Sequence, residues 1–275
     1  MGIKVTKVSG DIVDFDEEKL ARSLRFARVP DDIAKEAIAY AESKLTEKVS
    51  THLIYAYVNG FLRRRGHISY SYNYDLKRAI IRLGPTGYPF ENFIAKVLSA
   101  KGYQTQVGVT LKGKCVTHEI DIEASNKEEH YFIECKFHNQ LGIKTDVQVA
   151  LYTQARFEDI KGSPDLAAHT ESHKPWLITN TAVTKDVIDY ANCTGMRVVS
   201  WGYPTDGSLS DFIISTRLHP VTVLQDLRPN QLNSLFERGV VSVDELKIFL
   251  TQGQLPQNFS QPEADQLLSE IKNFI

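Results

Sequence analysis

The chain has 275 residues, of which 42% are hydrophobic and 24% are charged, and its formal net charge is −2. These values are typical of a globular protein with room for two domains, or for one large domain with an appendage. They exclude a global excess of basic residues, so any nucleic-acid partner must meet a local basic surface.

The sequence predicts neither a membrane span nor a secretion signal. No apolar run reaches the length of a membrane span, and the first residues lack the apolar core of a signal peptide. Cys115, Cys135 and Cys193 are widely spaced and form no CxxC pair, which suits a reducing cytoplasm and argues against a zinc site or a disulfide framework. We therefore expect a cytoplasmic protein without a membrane partner.

The first third of the chain has mainly helical patterns. Residues 3–16 predict two short strands joined by a turn, and Asp16 is expected to cap a helix beginning at Glu17. Further helices are predicted over residues 33–45, after Ser50 or Thr51, and over residues 72–83. The run GPTGYP, residues 84–89, then breaks the pattern, because Gly and Pro interrupt helices.

Beyond this break the pattern changes to alternating strands and helices. An amphipathic helix ends near Gly102, two strands follow, and later elements are a helix over 145–160, a strand over 176–181, a helix closing on Gly195 and another apolar strand. This order predicts an α/β fold with a mixed sheet flanked by helices. The predicted domains are residues 1–83, residues 84–217 and a C-terminal helical segment, residues 218–275.

The stretch HEIDIEASNKEEHYFIECKF, residues 118–137, predicts two strands around a polar turn, with acids among the apolar residues. In the first strand, alternation is expected to place Glu119 and Asp121 on one face and Ile120 and Ile122 on the other. Carboxylates gathered on one face repel each other, and a divalent cation removes that cost.

The second strand adds the other groups that such chemistry needs. Glu134 and Lys136 share one face of the strand. Asp121 and Glu134 are expected to bind Mg²⁺, which prefers hard oxygen ligands, with the backbone carbonyl of Cys135 as a further ligand. Lys136 would orient or help deprotonate the attacking water, or stabilise charge on the phosphate. Two more acids, Glu119 and Glu91, are expected to bind a second metal or to hold water. The alternative is a solvated hairpin face with a surface ion pair.

Asp121 and the run ECK that ends at Lys136, after a helix containing Glu91, resemble the PD-(D/E)xK nuclease superfamily, and more narrowly its Mrr-like restriction endonuclease branch. The resemblance covers about residues 84–215. It implies a restriction-endonuclease-like fold and Mg²⁺- or Mn²⁺-dependent cleavage of phosphodiester bonds in DNA, with Asp121 and the glutamate of ECK as metal ligands and Lys136 as the catalytic lysine. Ile120 stands where the family's name has proline.

Four polar residues beside these strands are further candidates. His118 is either a structural or substrate-contacting residue or, alternatively, a metal ligand. His138, Asp146 and Gln148 are candidates for phosphate contact or for support of the site.

The N-terminal run VTKVSGDIVDFDEEKLARSL resembles the ATP-cone, the nucleotide-sensing domain of ribonucleotide reductases and related regulators, over about residues 1–82. The resemblance implies that Lys7 and Lys19 contact a bound nucleotide, ATP or dATP. Val8 departs from the family, whose members usually carry a basic residue there. The alternative is a small helical domain kept for packing or DNA contact.

Together these features predict a metal-dependent endonuclease that acts on DNA, with a nucleotide effector at the N-terminal domain and a homo-oligomeric state, a dimer. RNA and branched DNA are alternative substrates. The rival hypothesis is a non-catalytic nucleotide-sensing or DNA-binding regulator on a nuclease-like scaffold.

Overall fold

The structure is a computed structural model that describes residues 4–6, 10–45, 49–167 and 172–272. Its contacts divide the chain into two compact units. The N-terminal unit comprises residues 1–76 and 265–275, and the central unit comprises residues 77–264. Over the described residues, no helix is both long and apolar enough to cross a membrane.

The N-terminal unit contains a small sheet and several helices. In chain order its elements are β1 (Lys4–Thr6), β2 (Ile12–Asp14), α1 (Glu17–Phe26), α2 (Asp31–Glu42), β3 (Val49–Ser50), α3 (Thr51–Arg64) and α4 (Ile68–Ile81), the last of which continues into the central unit. Strand β1 lies between β2, to which it is antiparallel, and β3, to which it is parallel.

Local sequence signals position the ends of two of these helices. The side chain of Asp16 accepts a hydrogen bond from the Lys19 N–H at 3.2 Å, which confirms the predicted cap of α1. The hydroxyl of Ser50 accepts from the Leu53 N–H at 3.2 Å and caps α3 in the same way. Each cap satisfies a backbone donor that the first helical turn leaves without a partner.

Helix α4 begins at Ile68, earlier than the predicted residue 72. The run of Tyr and Ser at its start has only modest helix propensity, so the sequence pattern is weak there. Tyr72 and Leu76 are nevertheless fully buried, and this packing stabilises the helix.

The central unit follows with strands and helices in alternation. Its elements are α5 (Tyr88–Ala100), β4 (Gln104–Lys112), β5 (Thr117–Ser125), β6 (His130–Lys136), β7 (Lys144–Thr145), α6 (Val147–Lys161), α7 (Pro164–Ala167), β8 (His173–Thr179), β9 (Ala182–Val183), α8 (Lys185–Thr194), β10 (Arg197–Val199), α9 (Leu209–Thr216), a 3₁₀ turn (Val221–Val223), α10 (Pro229–Phe236), α11 (Val243–Thr251) and α12 (Gln261–Lys272).

The main sheet of the central unit has the strand order β10-β8-β6-β5-β4. Strands β4, β5 and β6 are antiparallel neighbours, whereas β6, β8 and β10 are parallel, with α6 and α8 as the connections. The predicted α/β class, a mixed sheet flanked by helices, is therefore confirmed. A two-stranded parallel sheet pairs β7 with β9.

Helices cover both faces of this sheet. Leu177 of β8 clusters with residues of α6 and α8, including Val149 and Val187. Its neighbour Trp176 instead packs edge-on against Phe212 of α9. Successive residues of a strand point to opposite faces, so β8 is buried on both sides, as its apolar sequence predicts.

The run GPTGYP separates two helices, since α4 ends at Ile81 and α5 begins at Tyr88. Pro89 lies in the first turn of α5, where its missing N–H costs no helical hydrogen bond. The division between the compact units falls inside α4 instead, and residues 218–264 belong to the same unit as the main sheet. Thr222 illustrates why, because its hydroxyl donates to the backbone carbonyl of Ala79 at 2.6 Å.

The end of α12 belongs to the N-terminal unit. The hydroxyl of Tyr72 donates to Glu270 Oε1 at 2.5 Å, and Arg63 Nη1 lies 3.5 Å from the same oxygen. Two separate segments of the chain therefore build the N-terminal unit.

Candidate acidic site on the central sheet

Asp121 lies where the pairing of β5 with β6 ends. The register of the two strands stops at Ile122 opposite Ile133. Beyond this pair, the Cys135 N–H donates to Asp121 Oδ2 at 2.7 Å. A side-chain carboxylate thus replaces a backbone carbonyl as the acceptor, which holds Asp121 against β6 and satisfies a buried donor.

The predicted alternation along β5 is wrong at this point. Ile120 shares a buried cluster with Phe132 on β6, whereas Ile122 lies opposite Ile133, the next residue of β6. Phe132 and Ile133 are adjacent in β6 and therefore point to opposite faces of the sheet. Ile120, which packs with Phe132, and Ile122, which lies opposite Ile133, must point to opposite faces as well. The strand changes face at Asp121.

A signal for this change is present in the neighbouring strand. Gly108 of β4, with φ +67°, falls opposite Asp121 between the pairs Val107–Ile122 and Val109–Ile120. A glycine inside a strand pattern often marks a bulge or a local bend. Gly108 is therefore the sequence signal for the change of face at Asp121.

Both oxygens of the Glu134 carboxylate are bound by side chains of α6. The Tyr152 hydroxyl donates to Oε1 at 3.1 Å, and Arg156 forms an ion pair with Oε2. The Glu134 side chain is only 13% exposed. Sequence reasoning missed both partners, although their spacing of four residues on the helix after β6 places them on one helical face.

Lys136 ends β6 and is partly exposed. Its backbone pairs with Thr179 of β8, but within the described ranges its ammonium group makes no hydrogen bond or ion pair. The chain just beyond is fixed by Asn180, whose side chain accepts from the His138 N–H at 2.9 Å and donates to the His138 carbonyl at 2.7 Å. Hydrogen bonds therefore hold the chain after the strand, while the lysine side chain remains available.

Glu91 reaches the same region from the first turn of α5. Burial, together with the charges of Asp121, Glu134 and Glu119, raises the pKa of Glu91 to about 7. Gly87 makes room for the carboxylate, since a Cβ there would lie 2.8 Å from Glu91 Oε1. The raised pKa indicates that negative charge accumulates here without full compensation.

The other two carboxylates show the same imbalance. Burial raises the pKa of Asp121, against the Cys135 hydrogen bond and the charge of Arg156. Burial and the charge of Asp121 raise the pKa of Glu134, against Arg156 and Tyr152. In both cases burial and negative charge raise the pKa by more than the nearby positive charges and hydrogen bonds lower it. A bound cation would lower the pKa of both carboxylates.

The predicted site residues are thus brought together only in part. Glu91, Asp121 and Glu134 interact electrostatically, and Lys136 acts on the latter two. In the part of the chain that the structure describes, no group of three or more His, Cys, Asp and Glu side chains is arranged to hold one metal ion. Two hard carboxylates still fit the needs of Mg²⁺, which keeps several waters.

Glu119 and Cys135 contribute mainly through their backbones. The Glu119 carbonyl accepts from Arg156 Nη1 at 3.2 Å, while its side chain is exposed. The Cys135 thiol is buried, and burial raises its pKa well above the usual value, so it is a poor metal ligand.

His118 and Asp146 have structural partners. His118 Nε2 lies 2.7 Å from Asp159 Oδ2, and this carboxylate also accepts from the Cys115 and Val116 N–H groups. The contact fastens the β4–β5 turn to α6. Asp146 caps α6 by accepting from the Gln148 N–H at 3.1 Å.

The N-terminal unit contains a separate cavity of about 210 Å³. Its walls include Phe15, Tyr55 and Tyr74, and the two tyrosine rings stack with centroids 5.3 Å apart. Lys19 and Asp16 lie at its edge and form an ion pair with Nζ and Oδ2 3.1 Å apart. The cavity therefore combines apolar and aromatic walls with an exposed ammonium group. Lys7 and Val8 lie outside the described residues.

Fold and site define an α/β protein whose mixed sheet carries partly buried carboxylates beside an available lysine. No family model matches the chain. It is 31% identical over 185 residues to an uncharacterized protein of Archaeoglobus fulgidus, a match that spans 66% of this chain and 99% of the relative. It also resembles the crystal structure of a protein of unknown function, AF1548, with a TM-score of 0.56 and 30% identity over 68% of this chain and 97% of that one. The chain belongs to the family of the Archaeoglobus fulgidus protein.

Proposed function

We propose that the chain is a divalent-metal-dependent endonuclease of the Mrr-like branch of the PD-(D/E)xK superfamily, which hydrolyses phosphodiester bonds in DNA. The observation that supports this most is the meeting of three partly or largely buried carboxylates, from α5, β5 and β6, beside a lysine with no ion-pair partner among the described residues. Acids with raised pKa values next to an available lysine are typical of catalytic sites.

In this proposal Asp121 and Glu134 hold a Mg²⁺ or Mn²⁺ ion, with the Cys135 carbonyl as a further oxygen ligand. The ion would supply Lewis-acid polarisation of the phosphate and increase the acidity of water. The donor set fits, because these cations prefer oxygen ligands and the raised pKa values of both carboxylates favour a compensating charge.

The chain's own residues divide the remaining tasks. Lys136 orients the attacking water and stabilises negative charge on the phosphate. Glu91, with a pKa of about 7, can hold or release a proton near neutral pH, as a general acid or base requires. Glu119 is exposed at the rim, where its carboxylate can hold water.

Incubation of plasmid DNA with the purified protein and Mg²⁺ or Mn²⁺ tests the proposal. We expect cutting by the wild type and its loss in Glu134→Ala and Lys136→Ala. Glu128→Ala and Lys127→Ala, two exposed positions in the turn between β5 and β6, are matched controls that should retain activity. Cutting that survives both site substitutions would refute the assignment.

One observation favours the rival function, a non-catalytic DNA-binding regulator. Arg156 and Tyr152 each bind one oxygen of the Glu134 carboxylate, as expected of a nuclease-like site that no longer binds a metal. This function predicts DNA binding that needs no divalent ion, together with intact plasmid in the same assay. A gel-shift measurement with and without metal separates the two functions.

We further propose that the N-terminal unit is an ATP-cone that binds ATP or dATP in its cavity. Lys19 at the cavity edge supports this, because an exposed ammonium suits phosphate while aromatic walls suit a base. Nucleotide should raise the melting temperature of the wild type, by binding only the folded state. The rise should vanish in Lys19→Ala and persist in Lys35→Ala, an exposed lysine on α2. An unchanged rise in Lys19→Ala would exclude this cavity.

We also propose that the protein acts as a homodimer, since cleavage of both strands of a duplex is simplest with two sites. Light scattering with and without nucleotide measures this directly, and a monomer under both conditions would contradict it.

A further inference from the structure

Arg156 lies among the acids, where a metal ion bound by Glu134 would compete with it. Its Nη1 atom forms the ion pair with Glu134 Oε2 and donates to the Glu119 carbonyl at 3.2 Å. The guanidinium lies over the Tyr152 ring, 5.7 Å from its centroid. The side chain is therefore held by a carboxylate, a carbonyl and an aromatic ring.

The ion pair is the strongest local compensation for the acidic charge. Among the described residues, Lys136 makes no direct contact with a carboxylate, whereas Arg156 contacts Glu134 and interacts electrostatically with Asp121. The Arg156 side chain is 30% exposed and that of Glu134 is 13% exposed, so solvent screens their attraction only in part.

A guanidinium and a divalent cation cannot both use the same carboxylate oxygens fully. Glu134 already has a donor on each oxygen, one from Arg156 and one from Tyr152. Each oxygen has a second lone pair, so an ion could bind beside these donors, but the positive charge of Arg156 would oppose its binding.

We propose that Arg156 is an internal counter-cation, which neutralises Glu134 in the absence of metal and competes with the divalent ion for that carboxylate. The inference deepens the proposed function, on which it rests. Arg156 is thus a positioning residue that sets the metal concentration at which the site fills. Without metal it keeps Glu134 ordered and prevents the repulsion between neighbouring carboxylates from opening the strand ends.

Calorimetric titration of the DNA-free protein with Mn²⁺ tests this inference. Removal of the competing cation in Arg156→Gln should tighten Mn²⁺ binding on the order of tenfold, while lowering the melting temperature of the metal-free protein. Arg156→Lys keeps the charge but lacks the planar guanidinium that contacts Glu134, the Glu119 carbonyl and the Tyr152 ring, and should show an intermediate affinity. Lys161→Gln, an exposed position on the same helix, should bind Mn²⁺ as the wild type does.

Glu134→Gln distinguishes failure of this inference from failure of the proposed function. Mn²⁺ binding that depends on Glu134 but is unchanged or weaker in both Arg156 variants would overturn the counter-cation role alone. Mn²⁺ binding that does not depend on Glu134 in any background would overturn both proposals. If Arg156→Gln does not fold by circular dichroism, Arg156→Lys decides the result, since tighter binding supports the role and unchanged binding refutes it.

Discussion

The acidic site of the central unit and the cavity of the N-terminal unit both contain charged side chains, but they arrange them differently. In the acidic site the carboxylates come from α5, β5 and β6, are partly buried, and have raised pKa values. At the cavity Asp16 and Lys19 are three residues apart on the chain and exposed, and their hydrogen bonds lower the pKa of Asp16.

The difference shows how burial decides what charged groups can do. Long-range packing in the central unit brings like charges together, which costs free energy that a bound cation would relieve. Local spacing in the N-terminal unit produces a neutralised, solvated pair that can exchange its partners with little cost. The first arrangement is the one for which we propose catalysis, and the second is the one for which we propose reversible binding of a nucleotide.

Substitution of Asp121 should give the largest effect and break the acidic site alone. Asp121→Asn removes the charge but can still accept the Cys135 hydrogen bond, so we expect a folded protein with cleavage reduced by about 100-fold or more. Asp121→Ala should also lower the free energy of unfolding by about 1–3 kcal/mol, because a buried N–H loses its acceptor. Plasmid nicking and urea denaturation measure the two effects, and wild-type cutting by Asp121→Asn would contradict the site.

The pH dependence of stability sharpens the comparison further. The pKa of Glu91 is about 7 in the folded protein, against an ordinary value of 4.5. Between these values the folded state binds more protons than the unfolded state, so stability falls as pH rises from about 4.5 to 7. We expect Glu91→Gln to remove on the order of 1–3 kcal/mol of this fall.

Urea denaturation at several pH values measures this effect, with Glu128→Gln as an exposed control. Part of the fall in stability with rising pH should remain in Glu91→Gln, because the pKa values of Asp121 and Glu134 are raised as well. A Glu91→Gln profile identical to that of the wild type would show that Glu91 does not carry the shift.

The smallest expected effect lies in the N-terminal unit, where structure depends on local signals. Ser50→Ala removes the cap of α3 and should lower the free energy of unfolding by about 1 kcal/mol, while Ser50→Asp should retain most of it. Both variants should cleave DNA as the wild type does. Equal stability of the two variants would show that packing, rather than the cap, positions the start of α3.

Local features of the fold were predictable from the sequence. Short-range rules predict the cap at Asp16, a cap at Ser50 or Thr51 (Ser50 in the structure), the positive φ of Gly195 at the end of α8 and the strand pattern of WLIT. The start of α4 was not predictable, because burial of Ser71, inside the additional first turn, overrides a weak local preference. Propensity alone could not supply that information.

For the acidic site, the sequence predicted which groups participate but not how they are held. The spacing of Asp121, Glu134 and Lys136 predicts metal-dependent cleavage of phosphodiester bonds, and this function remains a proposal. The change of face at Asp121 depends on the partner strand, and the ion pair of Glu134 with Arg156 depends on how α6 packs on the sheet. Neither relation is visible in the periodicity of a single segment.

The two-segment construction of the N-terminal unit has a consequence for biosynthesis. The ribosome completes residues 77–264 before it makes residues 265–275, which the N-terminal unit includes. During translation, Tyr72 and Arg63 cannot contact Glu270 until that residue has been made. The central unit can therefore fold before the N-terminal unit is complete. A recombinant fragment ending near residue 76 would lack this carboxylate, and a better design fuses the last helix back to it through a short linker.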